Sequence, residues 1–540
     1  MSAVGEFDYV IVGAGSAGCV LAGRLSEDPN VRVCLLESGG PDDSVLVHAP
    51  LGFALGAPLG WNTWLFETKP QPGLGGRRGY QPRGHTLGGS SSINAMVYCR
   101  GHRSDYDRWA ELGNPGWDYK SVLPLFKRLE NAECTGANDY RGVGGPQNVA
   151  LLRSPSALNE VFLQACERVG IPRTADYNGA QQEGCWRAQV TQKDGERCST
   201  AKGYLTPNLG RPNLSVLTHA HAEKIQFTGR RATGVQFRVD GQLRRAQARR
   251  ELILSAGAYG SPQLLMLSGI GRGAELQTLG IPIVQELAGV GQNLQDHINA
   301  TLIWRTHRTD ATFGLSASGI WRIVDGIFEW RRQRTGVITS NVGEAGAFFR
   351  LRNDSPAPEI EVLFVVGIVD DHTRKRHWGH GFSLHVTLMH PKSRGEVRLA
   401  SADPHAPVQI DPRYFSHPDD MVALMAGVRR SLEIANAEPL RAIRGKMLYS
   451  FDAADSDALE RDIRRSADTE YHPSGTCRMG PASDAMSVVG PDLRVHGMQA
   501  LRVVDASIMP ELITGHTNGP TIMIAEKAVD LLRASGASGQ

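Results

Sequence analysis

Phe7-Asp8-Tyr9-Val10-Ile11-Val12 runs into Gly13-Ala14-Gly15-Ser16-Ala17-Gly18, and Val31-Arg32-Val33-Cys34-Leu35-Leu36 follows, ending at Glu37. The first and last pieces are short apolar runs of the kind buried in a parallel sheet. Between them, Ser16 to Ser26 carries Ala, Val and Leu at helical spacing. Parallel neighbours need a crossover, so the stretch predicts a strand–helix–strand unit. Its turn satisfies G-x-G-x-x-G. Gly13 permits the turn, Gly15 lets the backbone approach a pyrophosphate, and Gly18 lets helix and strand pack closely. The helix start at Ser16 and Ala17 offers amide donors and partial positive charge to phosphates. Glu37, 19 residues beyond Gly18, is placed to accept both ribose hydroxyl protons of an adenosine. The loop alone does not separate FAD from NAD.

Working outward, Arg250 to Ala258 reads as a third buried strand entering a Gly-rich turn and a helix. Val216-Leu217-Thr218 and Ala232 to Phe237 alternate like antiparallel strands around a turn. From about residue 306 to 464 the chain changes character, with alternating strand patterns at Glu361 to Phe364 and Ser383 to Met389 and no phosphate-type glycine loop. The remainder returns to apolar, Gly-bearing motifs. This pattern predicts an α/β protein: a discontinuous Rossmann-like nucleotide domain (1–155, 215–305 and 465–540) with an inserted α+β substrate domain (156–214 and 306–464). The stretch Ala534 to Gly539 reads as a disordered tail.

The chain of 540 residues is 41% hydrophobic and 21% charged, ordinary for a soluble enzyme with ample core. Its net charge of +2 supplies no field to steer nucleic acid, and no basic block is interleaved with aromatics. None of the eight cysteines forms a C-x-x-C pair, and no His/Cys/Asp spacing suggests a metal, so reduced buried thiols in a cytosolic protein are expected. Met1 to Glu6 leaves no room for a secretory signal, and no apolar run reaches about 20 residues. The expected location is cytoplasmic, with peripheral association at the inner face of a membrane left open.

Further motifs resemble the glucose–methanol–choline (GMC) flavin oxidoreductases. They are Gly84-His85-Thr86-Leu87-Gly88-Gly89-Ser90-Ser91-Ser92-Ile93-Asn94, Gly257 to Gly271, Tyr471-His472-Pro473-Ser474-Gly475-Thr476-Cys477-Arg478-Met479-Gly480, and Val503-Val504-Asp505-Ala506-Ser507 with Gly515-His516-Thr517-Asn518-Gly519-Pro520-Thr521. The resemblance covers essentially the whole chain. In overall character it is similar to the family's bacterial, choline-dehydrogenase-like alcohol dehydrogenases, and it implies that the first loop holds FAD. Gly88, Gly89, Ser90 and Ser91 form a short-side-chain segment able to lie against pyrophosphate and flavin, and Asn94 can hydrogen-bond the flavin edge. Asp505 and Ala506, after a buried strand, are placed for ribityl or pyrophosphate contact. The resemblance adds Ala95, Met96, Ala222, Asn518, Pro520 and Thr521 to the cofactor set. In Gly257 to Gly271 a glycine turn lies beneath the nucleotide, and Ser268 to Gly271 reads as packing. Two departures matter: His85 stands where the family usually has Arg, Lys or a small set of other residues, and Ile93 stands where members with covalent flavin carry histidine. Ile93 offers no nucleophilic nitrogen, so the FAD is expected to be non-covalent.

Alcohol oxidation needs a base for the hydroxyl proton and an acceptor for the carbon-bound hydride. By resemblance His472 is the base, and His516 hydrogen-bonds the substrate oxygen, with Asn518 as the competing candidate. Among the other histidines, His219, His221, His297, His372, His377, His380 and His385 read as surface or packed residues. Ile320 to Trp330, followed by Arg331, Arg332 and Arg334, reads as a core-facing helix, with a membrane- or partner-touching helix as the alternative. Strands at Val362 to Val366 and Leu384 to Leu388 are expected to turn one face to substrate, and Trp61, Asn62 and Trp64 to lie near the entrance. The expected activity is FAD-dependent oxidation of a primary aliphatic or aryl alcohol, with electrons passed to a quinone or other acceptor. The rivals are an oxidase using oxygen and an FAD-containing hydroxynitrile lyase. Choline is disfavoured, because no carboxylate-and-aromatic cage for a quaternary ammonium is readable.

Overall fold

A computed structural model describes residues 2–56 and 58–537. The strand Ser2–Val12 lies at the centre of a seven-stranded sheet. On one side it pairs in parallel with Val33–Leu36, which pairs in parallel with Leu214–Leu217. On the other it pairs in parallel with the long strand Gln242–Leu254, which also takes Leu501–Val503 in parallel. The first half of that long strand continues antiparallel into Arg231–Val239 and then His221–Thr228. Val10, Ile11, Val33, Cys34, Leu35, Leu252 and Ile253 are fully buried, as parallel strands covered on both faces must be.

One strand pairing differs from expectation. Leu214–Leu217 is not the hairpin partner of Arg231–Val239; it forms the opposite edge of the sheet, and His221–Thr228 takes the hairpin place. Alternation identified these strands but carries no information about partners.

An eight-stranded antiparallel sheet forms the second body. Its main path runs Arg444–Met447, Ile298–Thr306, Gly379–Leu388, Ile360–Val365, Gly343–Phe349 and Gly184–Arg187. The helices Leu158–Arg168 and Pro418–Asn436 cover one face, where Val362, Phe364, Leu384 and Val386 build a separate core. The opposite face carries Glu361, Leu363 and Val365 toward the first body.

The expected boundaries differ in several places, among them Asp468–Thr469, which pairs with the second sheet. Ile298–Thr306 belongs to the second sheet, and Ala201, Tyr204 and Leu205 pack into the first core. The expected tail is also shorter: the helix Asn518–Ala537 runs through its first four residues, and Ser538 and Gly539 lie outside the described residues.

Candidate active site

A cavity of about 950 Å³ runs between the two bodies, at the upper end of the roughly 300–1,000 Å³ usual for ligand sites. Its nucleotide end is backbone-built. The helix Ser16–Leu25 starts at Gly15 with no side-chain cap and no acid in its first turn, so its leading amides remain available to an anion. Gly13 adopts φ +97°, and a Cβ on Gly18 would stand 1.9 Å from the Gly13 carbonyl oxygen. A Cβ on Gly15 would meet only the Ser255 carbonyl, at 3.9 Å. Gly15 is therefore small for the sake of the cavity, whereas Gly18 is small for packing. Glu37 is buried, and its two carboxylate oxygens accept from Ala14 N (2.9 Å) and Gly39 N (2.8 Å). Burial pushes its pKa up to about 7, against these backbone bonds. Each oxygen keeps a lone pair for a ribose hydroxyl.

Gly13, Gly15, Ser16, Ala17 and Glu37 line the cavity together, with Ala222 beyond them. Gly89, Ser90, Ile93, Asn94, Ala95 and Met96 form the middle wall, and Asp505, Ala506, Asn518 and Thr521 lie opposite. An elongated cleft with an uncapped helix start, a ribose-type carboxylate and a wall of small residues fits FAD.

Four expected contact residues are placed elsewhere. Gly18 packs against Gly13, and Gly88 makes a turn at φ +83°. Ser91 Oγ bonds Gly88 O (2.6 Å) and Thr200 Oγ1 (2.7 Å), and Pro520 is buried in the first turn of its helix. These residues shape the wall without forming it. The Asp505 carboxylate is spent internally on Gly257 N, Ser261 Oγ and Ser507 N, tying two cofactor-side turns together. Asn94 Oδ1 accepts from Met96 N (3.0 Å) and from the buried Arg197 (2.9 Å), leaving its amide nitrogen as the free donor. Ser268 Oγ bonds Ile225 N and Leu264 O, a packing role. The departing His85 packs against Trp64, ring centroids 4.0 Å apart and tilted by 34°, and Trp64 lines the cavity.

The other end is built from side chains. The His472 and His516 rings stand 5.0 Å apart and nearly perpendicular, and both line the cavity. His516 Nε2 lies 3.0 Å from Glu361 Oε1. Burial alone would depress the His516 pKa, but the Glu361 charge and hydrogen bond, with Glu470 behind, shift it upward. Asn518 Oδ1 instead accepts from Ser16 Oγ (2.7 Å), which takes it out of the catalytic pair and into the nucleotide loop. His472 is held by its backbone N donating to Asp296 Oδ1 (2.8 Å), an acid that also accepts from Tyr414 (2.5 Å) and Thr469 (2.6 Å). Burial, then the neighbouring His297 and His516, push the His472 pKa well below 6.5.

His297 corrects the reading of that residue as merely packed. Its Nε2 bonds the Met389 carbonyl (2.9 Å), so it carries the proton there and offers a lone pair on Nδ1. His472 Nδ1, 2.8 Å away, must then be the donor, which leaves His472 Nε2 unprotonated. Burial holds His297 neutral, its pKa pushed down to about 3. Glu361, Glu470 and Asp296 were likewise missed. The only local signal was a charged residue within the apolar run Ile360–Val365, since a buried charge needs a partner. Glu470 accepts from Asn299 Nδ2 (2.7 Å), and burial pushes its pKa up to about 8.

Met96, Val97, Val342, Leu363 and Val365 give the cavity an apolar stretch, and Glu470 and Tyr471, next to His472 in the chain, line it as well. No side chain from Leu384 to Leu388 reaches the cavity, contrary to expectation for that strand.

The GMC oxidoreductase family models match residues 7–299 and 391–525. The chain is 44% identical over 530 residues to the alcohol dehydrogenase [acceptor] of Pseudomonas putida, covering 97% of this chain and 95% of that protein. It is 43% identical to the mitochondrial choline dehydrogenase of Mus musculus, covering 98% and 89%. Formate oxidase of Aspergillus oryzae RIB40, in a structure concerned with FAD modification, superposes with a TM-score of 0.91 at 25% identity over 100% of both chains. The backbone cradle at one end and the histidine pair at the other thus lie on a scaffold shared along its full length, and the chain belongs to the GMC oxidoreductase family.

Proposed function

We propose that the protein is an FAD-dependent alcohol dehydrogenase that oxidises a primary alcohol, aliphatic or aryl, to the aldehyde and passes the electrons to a quinone or other acceptor. The observation that carries this reading is the pair of histidines with pKa values pushed apart. His472 is neutral with a free Nε2, and His516 is held toward its charged form by Glu361. Such divergence is how a site assigns its base and its donor.

FAD, held by the Gly13–Ala17 turn, Glu37 and the Gly89–Met96 wall, supplies the hydride acceptor when bound. The chain's own residues do the rest. His516 donates a hydrogen bond to the alcohol oxygen and favours its developing negative charge. His472 Nε2 takes the hydroxyl proton, and His297 keeps that nitrogen lone-paired by accepting from Nδ1. The apolar stretch of Met96, Val97, Val342, Leu363 and Val365 suits an aliphatic or aryl chain. Anaerobic addition of a primary alcohol tests the assignment. Bleaching of the flavin is expected, and flavin that stays oxidised would leave the lyase reading. Parallel assays with a dye and with peroxide detection then separate dehydrogenase from oxidase, with dye reduction expected.

A further inference from the structure

The helix Ala317–Gln333 is inside out. A surface helix normally buries its large apolar residues and exposes its polar ones. Here Gly319, Gly326 and Trp330 face the protein, while Ile320, Trp321, Val324, Ile327 and Phe328 face outward, Trp321 being 72% exposed. This corrects the core-facing expectation: the inner contact is made by small residues, and a Cβ on Gly326 would already press on Val337 at 2.5 Å.

The exposed stripe borders the cavity mouth, which Ile323, Ile327 and Leu315 line from this side. Across the mouth, Leu55, Leu59, Trp61 and Leu65 are each more than half exposed, and Trp378 stands beside Leu315. Three separate segments thus form one apolar collar around the entrance, a surface that calls for an occupant. Basic residues fringe it: Arg331 and Arg332 at the helix end, and Lys375 and Arg376 on the facing loop. All four are exposed, and none is paired with a carboxylate among the described residues. Asp325 is the one exposed acid on the helix.

We propose that this collar docks the enzyme on an anionic lipid bilayer with the cavity mouth facing the membrane. An outward apolar and aromatic helix face edged by arginines is the chemistry of an interfacial helix on anionic lipid. A protein clamped over the collar would seal the entrance, whereas a fluid interface leaves it open to lipid-soluble molecules. No helix among the described residues is long and apolar enough to cross a membrane, so the attachment is peripheral.

The test is co-sedimentation of the FAD-loaded enzyme with phosphatidylcholine vesicles with and without phosphatidylglycerol, beside sedimentation equilibrium without lipid. Binding to the phosphatidylglycerol vesicles is expected. Trp321→Ser with Phe328→Ser should weaken it at least about tenfold, the scale of re-exposing a buried apolar side chain. Arg331→Gln with Arg332→Gln should weaken it about fivefold per charge, an effect that salt erases. Both variants should keep full flavin content and the wild-type rate on a short, water-soluble alcohol. Failure to bind, or equal binding by wild type and both variants, overturns the proposal. So does a dimer that Trp321→Ser with Phe328→Ser dissolves, which would assign the collar to a second copy of the chain.

Discussion

The two ends of the cavity follow opposite building rules. At the nucleotide end, recognition is written in backbone: an uncapped helix start, a positive-φ glycine and one carboxylate, all within residues 13–39. At the catalytic end it is written in side chains from segments near residues 297, 361, 470 and 516, each partnered across the fold. Damage to the first end should cost cofactor, and damage to the second should cost rate. The two losses should be separable.

The sharpest test is His472→Ala. Without the base, anaerobic stopped-flow flavin reduction should slow by about 10²–10⁴-fold while FAD content holds. Wild-type reduction at neutral pH would place the base elsewhere. His516→Ala should raise the barrier by on the order of 2–3 kcal/mol, as loss of an oxyanion donor does. His516→Asn, which still donates, should be milder, and equal rates for the two would deny the donor role.

Glu37→Ala strikes the other end. Loss of a charge-assisted hydrogen bond of about 1.5–3 kcal/mol should weaken FAD retention in equilibrium dialysis. The reduction rate of whatever holoenzyme remains should stay intact, and unchanged affinity would refute the ribose assignment. His297→Phe releases His472 to populate both tautomers, so reduction should slow by roughly tenfold or less with KM unchanged. A fall as deep as that of His472→Ala would mean that His297 does more than orient.

Glu470→Gln is read in thermal unfolding against pH rather than in rate or retention. The folded pKa of Glu470, about 8, lies above its ordinary 4.5, so the folded state holds a proton that the unfolded chain has released. Its stabilising contribution is full below pH 4.5 and is lost as pH rises toward 8. The variant lacks this loss, so its advantage over wild type should grow by up to about 1.4 kcal/mol per pH unit across that window. Parallel curves would show that Glu470 ionises normally.

The same contrast explains what was legible in advance. Gly13, Gly15 and Glu37 announce themselves because their chemistry is local: spacing, strand and helix all fall within one short stretch. His472 and His516 were found through motif resemblance, and their partners were not. His297 reaches His472 because Ile298 pairs with Thr469 across the second sheet, a register that nothing around residue 297 encodes. Glu361 hid for a similar reason, because alternation marks a strand but does not say which face meets the other body. The helix Ala317–Gln333 was misread on the same point. Its periodicity was plain, but the side covered by the rest of the fold was not.

The nucleotide loop has one further dependence. The helix Ser16–Leu25 is completed by the helix Asn518–Ala537, through Ser16 to Asn518 and Arg24 to Glu526 (2.8 Å). The earliest part of the cofactor cradle to be synthesised therefore waits for nearly the last. A chain interrupted before Asn518 carries the whole glycine fingerprint yet lacks the surface against which its helix packs. Cofactor capture thus depends on both helices, and flavin retention should report that the two have met.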